Sequence, residues 1–390
     1  MQTGIRLTIA GIAAGAVLTG LATPAPAADA PAGNRGPRPT PAFSLSEVNS
    51  GRLTDLSGVP ADSSDGKVMK RHGFGVLRAP SGEMAVVNRS SAREGATAAA
   101  GSSFVDLSWQ GYAPKARYVI SRDGKELARL DAGVVSFRDT QVQPGSVHNY
   151  RVAPLLPAGG DPEARLYGLK VTVPASGSAA GLSKAAVAQA QAAEVAPTTT
   201  LTWVAFIPQA RVDAPAVGCD FGDGYEFAGD GHGFDWRASG YRAALNATID
   251  WSDKSMTPNT DIGESVVYAK GAVTPTAVRT ASDEDLEVKK LGSGSDYVDV
   301  RMVMHASNPF CEGVAGVHGA IDGALTMDLT TSGNYTIRSG STRQAPSHYI
   351  YIYDGGQVTD VFKLESAGLA CLIGSITCPE ADMTGYYGTF

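Results

Sequence analysis

The apolar residues of this chain recur at every second position in short runs, and no long stretch carries the three-to-four-residue spacing of an amphipathic helix. The clearest run is 243–251, where Ala243, Leu245, Ala247, Ile249 and Trp251 fall on one face of an extended chain. The same period returns in 298–304, 325–329, 349–353 and 358–364. Turn residues separate these runs, drawn from 46 glycines and 22 prolines among 390 residues. With 43% hydrophobic and 18% charged residues the chain has enough apolar material to bury real cores. The pattern predicts an all-β fold, and the length suggests two or three units at roughly 100–200 residues each. The arrangement expected is two β-sandwich or barrel-like domains joined by an alanine-rich linker.

Residues 1–27 read as a secretory signal peptide: Arg6, an apolar stretch from Leu7 to Leu21, then the small-x-small site Ala25-Pro-Ala27. The apolar stretch falls short of the roughly 20 residues of a spanning helix, and no later run reaches that length, so no membrane insertion is expected. A secreted, extracellular location follows. The net charge of −7 and a pI near 5.4 argue against broad attraction to nucleic acid or anionic surfaces. Four cysteines, Cys219, Cys311, Cys371 and Cys378, lie in the C-terminal half, and an even count in an exported chain favours disulfides. Three pairings are open. The preferred one joins Cys371 to Cys378 and Cys219 to Cys311; a structural zinc site is the rival, but no Cys-x2-Cys pair is present.

Residues 28–67 are read as a flexible leader, being dense at first in Pro, Ala and Gly. In 68–101, Phe74-Gly-Val-Leu77 and Met84-Ala-Val-Val87 flank Ala79-Pro-Ser-Gly82, a hairpin-like signature of uncertain role. About seven short strands follow in 102–175, among them Val105–Trp109, Tyr118–Ile120, Tyr150–Val152 and Leu169–Val173. Asp123-Gly124 supplies the positive φ of a tight hairpin. The Trp109 strand, Ser121-Arg-Asp-Gly124, Phe137-Arg-Asp-Thr140 and 143–152 together resemble a fibronectin type III module over some 75 residues, which implies a small β-sandwich. One departure stands out: His148 occupies the place where that family usually has its corner tyrosine, with Tyr150 two residues on. Residues 176–199 form the linker, flexible in its first half and then a short helix or semi-rigid spacer with Ser183 as the expected N-cap and too little apolar face for a core helix.

The remaining unit, 200–390, holds the densest cluster of chemistry. Between Cys219 and Asp235, five acidic residues, Asp220, Asp223, Glu226, Asp230 and Asp235, surround His232 among five glycines. Phe206-Ile-Pro208, Gly229-Asp-Gly-His-Gly-Phe234, Ser239-Gly-Tyr-Arg242, Ser307-Asn-Pro309, Ala320-Ile-Asp322 and Pro346-Ser-His-Tyr-Ile-Tyr351 are similar to the signatures of an uncharacterised family of secreted bacterial domains. The resemblance implies architecture and not activity, and it departs at His232, where an Arg is expected.

Three chemistries compete for these residues. Asp220, Asp223, Glu226 and Asp230 offer oxygen ligands to calcium, though not at EF-hand spacing. A glycine-rich turn whose aspartates bond local N–H groups, with Arg242 neutralising one of them, is the plainer alternative. Catalysis would draw on His232, Asp230 and Asp235, with His305, His318, His348 and Asp322 as further candidates, but neither a Gly-x-Ser-x-Gly elbow nor a His-Glu-x-x-His motif occurs. Recognition would use Tyr349, Tyr351 and Tyr353, which alternate with Ile350 and Ile352 along one strand and suit stacking on sugars or peptide. The favoured expectation is a secreted protein that binds carbohydrate or cell-envelope material; a secreted hydrolase or toxin-like effector using the Asp230/His232 loop is the alternative.

Overall fold

A computed structural model describes residues 40–89, 95–155, 163–195, 198–207, 238–268, 277–280, 282–307, 321–343, 347–354, 357–365, 381–382 and 386–387. In chain order the elements open with helix α1 (Leu45–Ser50), strand β1 (Thr54–Asp55) and helix α2 (Ser64–Arg71). Strands β2 (Phe74–Arg78), β3 (Met84–Asn88), β4 (Ala96–Ala100), β5 (Val105–Trp109), β6 (Arg117–Arg122), β7 (Lys125–Arg129), β8 (Ser136–Asp139), β9 (Val147–Leu155) and β10 (Leu166–Thr172) follow. After helix α3 (Ala179–Val195) come β11 (Thr198–Ile207), β12 (Ala238–Asp250), β13 (Ser255–Tyr268), β14 (Ala277–Thr280), β15 (Ser282–Ser293) and β16 (Tyr297–Ser307). The last are β17 (Ile321–Thr330), β18 (Tyr335–Arg343), β19 (Ser347–Asp354), β20 (Gln357–Glu365), β21 (Ala381–Asp382) and β22 (Tyr386–Tyr387).

The fold is all-β, and the described strands form three antiparallel sheets. A six-stranded sheet runs β1-β2-β3-β4-β5-β8. A nine-stranded sheet runs β15-β16-β17-β18-β10-β9-β6-β7, with β21 paired to β18. A seven-stranded sheet runs β14-β13-β12-β11-β19-β20-β22. Within 96–172, β4-β5-β8 face β7-β6-β9-β10 across a core built from alternate residues, including Ala98, Leu107, Trp109, Tyr118, Ile120, Tyr150, Val152 and Leu169. Trp109 and Tyr118 meet edge to face at 5.2 Å. The tight turn after β6 puts Asp123 at φ 51° and Gly124 at φ 77°, the left-handed pair that a two-residue hairpin needs.

The two predicted sandwich units share a sheet. Strand β10 pairs with β9 on one side and with β18 on the other, Gly168 lying opposite both Arg151 and Tyr335. Successive residues of β10 serve different cores. Tyr167, Leu169 and Val171 face the six-stranded sheet, while Leu166 and Gly168 share the opposite face with Ile337 and Tyr335. On that face Val298, Val300, Met302, Leu325, Met327 and Leu329 are buried. Leu201, Trp203, Leu245, Ala247 and Ile249 are fully buried on the seven-stranded sheet, whose β12 and β13 contact β15 and β16. Each of the leucine, isoleucine, valine and methionine side chains contributes about 1.5–3 kcal/mol by leaving water.

The segment read as a spacer is a packed helix. Helix α3 begins at Ala179, with the Ser178 hydroxyl accepting from Gly181 N–H at 3.1 Å, so Ser178 caps it. Ser183, expected at that position, lies one turn inside and donates to the Ala179 carbonyl. Leu182, Ala186 and Ala190 are buried against Met69, Val76 and Val86. An alanine face buries little area per residue, but its small size lets the helix lie close on β2 and β3. The end of the predicted leader is also ordered. Phe43 and Val48 pack on Leu77, Ala85 and Val87, and Ser44 caps α1 in a capping box with Glu47. Strands β2 and β3 pair as a hairpin that extends the six-stranded sheet.

Candidate functional site

The acidic loop lies outside the described residues. Outside them too lie the calcium set Asp220, Asp223, Glu226 and Asp230, the catalytic candidates His232, Asp235 and His318, and Cys219, Cys311, Cys371 and Cys378. Other candidates have a place in the backbone. Arg242 sits in β12 opposite Phe206 on one side and Glu264 on the other. His305 in β16 is opposite Asp285 in β15 and Asp322 in β17, and Asp322 is opposite Arg343 in β18. The topology thus brings the predicted pair His305 and Asp322 to neighbouring register positions, in one row with Asp285 and Arg343. His348 is opposite Ala205 in the other sheet, so it is not part of that row.

The tyrosine row has the clearest setting. Tyr349, Tyr351 and Tyr353 in β19 are opposite Val204, Thr202 and Thr200 in β11. Ile350 and Ile352 are opposite Trp203 and Leu201, both fully buried. Antiparallel partners share a face, so the isoleucine positions belong to the core face and the tyrosine positions to the other. Thr200 and Thr202 on that other face are half-buried, as are Asn246 and Thr248 beyond them in β12, and Thr257 in β13 is exposed. The Thr200 and Thr248 hydroxyls lie 3.2 Å apart, a cross-strand hydrogen bond.

Four polar clusters escaped the sequence reading because their members are far apart or look unremarkable in the chain. The first has the outline of a nucleophile, a base and an orienting acid. The Ser146 hydroxyl is 2.8 Å from His148 Nε2, and His148 Nδ1 is 2.7 Å from Asp123 Oδ2. Asp123 Oδ1 accepts from Asn149 N–H at 2.9 Å. The chemistry fails on two counts. The Ser146 hydroxyl has one proton and also lies 2.6 Å from the Gln143 carbonyl, which competes with Nε2 for it. The amides that flank it are spent, Gly145 N–H on Val173 and Ser146 N–H on Gln143, so they are not available to stabilise an oxyanion. The cluster ties the β6–β7 turn to β9. His148 makes this tie, while the buried Tyr150 donates to Asp139 at 2.8 Å. Burial, and then Asp139, push the Tyr150 phenol far above its usual range.

The second cluster is a clasp. Asp106, fully buried, accepts from Ala42 and Phe43 N–H at 2.8 and 3.2 Å and from Arg138 Nε and Nη2 at 2.6 and 2.8 Å. Arg138 also reaches Glu83 and lies 4.4 Å over the Phe104 ring. The hydrogen bond from Arg138 holds the Glu83 carboxyl below its ordinary value. The third joins the helical layer to the C-terminal strands. His72, at the end of α2, is 2.8 Å from the Thr331 hydroxyl and 2.7 Å from Glu194 in α3, and Arg71 also pairs with Glu194. The bond to His72 lowers the Glu194 carboxyl, with help from Arg71. In the fourth, Arg338 Nη2 stands 2.6 Å from both Asp299 and Asp328, which face each other across β16 and β17. It offsets the repulsion of two like charges directly opposite.

Among the described residues no group of three or more His, Cys, Asp or Glu side chains is placed to hold a metal ion, and no helix is long and apolar enough to cross a membrane. No protein-family model matches the chain, and no curated protein matches it.

Proposed function

We propose that this chain is a secreted, extracellular binding protein that holds carbohydrate or cell-envelope material on the tyrosine-bearing face of its seven-stranded sheet. The observation that carries the reading is the register: Tyr349, Tyr351 and Tyr353 fall opposite Val204, Thr202 and Thr200 and off the buried row of Leu201 and Trp203. Aromatic residues with threonine and asparagine neighbours combine apolar ring faces with hydroxyl and amide groups, which suits a ligand made of rings bearing hydroxyls. Secretion rests on the signal-like residues 1–27.

In the same reading residues 102–175, with β4 ahead of them, form a fibronectin type III-like module that supports the binding sheet. The order β4-β5-β8 against β7-β6-β9-β10 supports it. Because β10 pairs directly with β18, the support is continuous with the sheet behind the binding face. The test is adsorption of the full chain to cell-envelope and polysaccharide fractions, alongside Tyr349→Ala/Tyr351→Ala. Retention by at least one fraction, weakened tenfold or more in the double variant with unchanged thermal stability, is expected. Equal retention of both proteins would sink the assignment of the face.

A further inference from the structure

We propose that the ligand of the tyrosine face is a neutral polysaccharide rather than an anionic envelope polymer; this deepens the reading above and depends on it. The register defines two rows that cross four strands without a charged residue. One is Tyr353, Thr200, Thr248 and Thr257; the other is Tyr351, Thr202, Asn246 and Asn259. In the next row Tyr349, Val204 and Ala244 are again uncharged, and charge enters only at the margins, with Lys363 in β20 and Asp261 in β13. Beyond it, Arg242 stands opposite Glu264, so that the one basic position of its row already has an acidic neighbour.

Four strands at about 4.8 Å spacing and three tyrosine positions at about 6.8 Å spacing give a platform about 14 Å on a side. An anionic polymer laid across it would lose water from its charged groups and meet no cation in the centre, a loss of several kcal/mol for each group without a partner. The net charge of −7 adds long-range repulsion. A neutral chain pays neither cost. Its hydroxyls can exchange hydrogen bonds with threonine and asparagine, of which the Thr200–Thr248 pair is already linked across β11 and β12.

The experiment measures adsorption of the full chain to cellulose and chitin as neutral matrices and to cross-linked polygalacturonate and heparin resin as anionic ones. Each is run at about 0.01 M and about 1 M salt, where the screening length falls from about 30 to about 3 Å. The expected result is retention on a neutral matrix with affinity changed less than about twofold by salt, and weakened about tenfold by Thr202→Lys at unchanged thermal stability. Retention on the anionic matrices alone, or retention that high salt abolishes, would overturn the neutral ligand. The binding face itself would survive that outcome if Tyr351→Ala abolished the anionic adsorption. Retention on none of the four, with no adsorption to envelope fractions, would remove both readings together.

Discussion

Replacing Gly168 by alanine probes the seam where β10 joins β18. A Cβ at this position would stand 2.1 Å from Tyr335 Cε1, 2.2 Å from Cζ and 2.7 Å from Cδ1, where ordinary contact begins near 3.4 Å. The ring would have to retreat by more than an ångström. It has nowhere to go easily: Tyr335 is 2% exposed, and Arg151 Nε lies 3.2 Å from its hydroxyl. Overpacking a filled site costs about 1–3 kcal/mol, and the closeness of a rigid ring puts Gly168→Ala at the upper end, about 3 kcal/mol. Tyr335→Ala alone should cost about 3–5 kcal/mol through the void it leaves. The double variant should cost no more than Tyr335→Ala, because the new methyl then enters space the ring has vacated. The coupling energy in the cycle is therefore about 2–3 kcal/mol. Equilibrium urea unfolding followed by tryptophan fluorescence measures all four proteins. A cost for Gly168→Ala below about 0.5 kcal/mol, or single costs that simply add, would refute the placement of Tyr335 over Gly168 and with it the shared sheet.

Asp106→Ala leaves the Arg138 guanidinium and two backbone N–H groups without their carboxylate. It should cost about 3–5 kcal/mol and open residues 40–45 to limited proteolysis; an unchanged cleavage pattern would contradict the clasp. Glu194 is held below its ordinary carboxyl value of 4.5, so its pairs with His72 and Arg71 stabilise the fold above that value and are lost as pH falls through the lowered one. Wild type should therefore lose melting temperature more steeply than Glu194→Gln between about pH 4.5 and pH 3, by an amount worth well under about 1 kcal/mol because the carboxylate is partly exposed. Ser146 should remain unmodified by a serine-directed phosphonylating reagent at neutral pH. An adduct on Ser146 that disappears in His148→Ala would show an activated nucleophile after all.

The alternation in 243–251 was readable because a strand with one buried face writes its period directly into the chain; Leu245, Ala247 and Ile249 are fully buried and Trp251 nearly so. Asp123-Gly124 was readable for a similarly local reason, since few residue pairs accept two left-handed conformations. The β10–β18 seam was not. It joins Leu166–Gly168 to Tyr335–Ile337 across well over a hundred residues, and nothing in either segment marks the other as its partner. The packing of helix α3 is not legible in the chain because an alanine face that fits closely on β2 and β3 carries almost no apolar bulk. Phe43 looked like part of a leader because the carboxylate that receives its N–H, on Asp106, lies 63 residues later. For the candidate site, the common face of Tyr349, Tyr351 and Tyr353 was legible from spacing alone. Which face of the sheet they take depends on their register with Leu201 and Trp203, and only pairing reveals that.

Hydroxyl-radical footprinting of the full chain, with and without the polymer that retains it, tests the binding face most directly. The account predicts protection of peptides from β11 and β19, covering 198–207 and 347–354, with no change in 297–307 of the nine-stranded sheet. Unchanged labelling of β11 and β19, with protection confined to other segments, would contradict it.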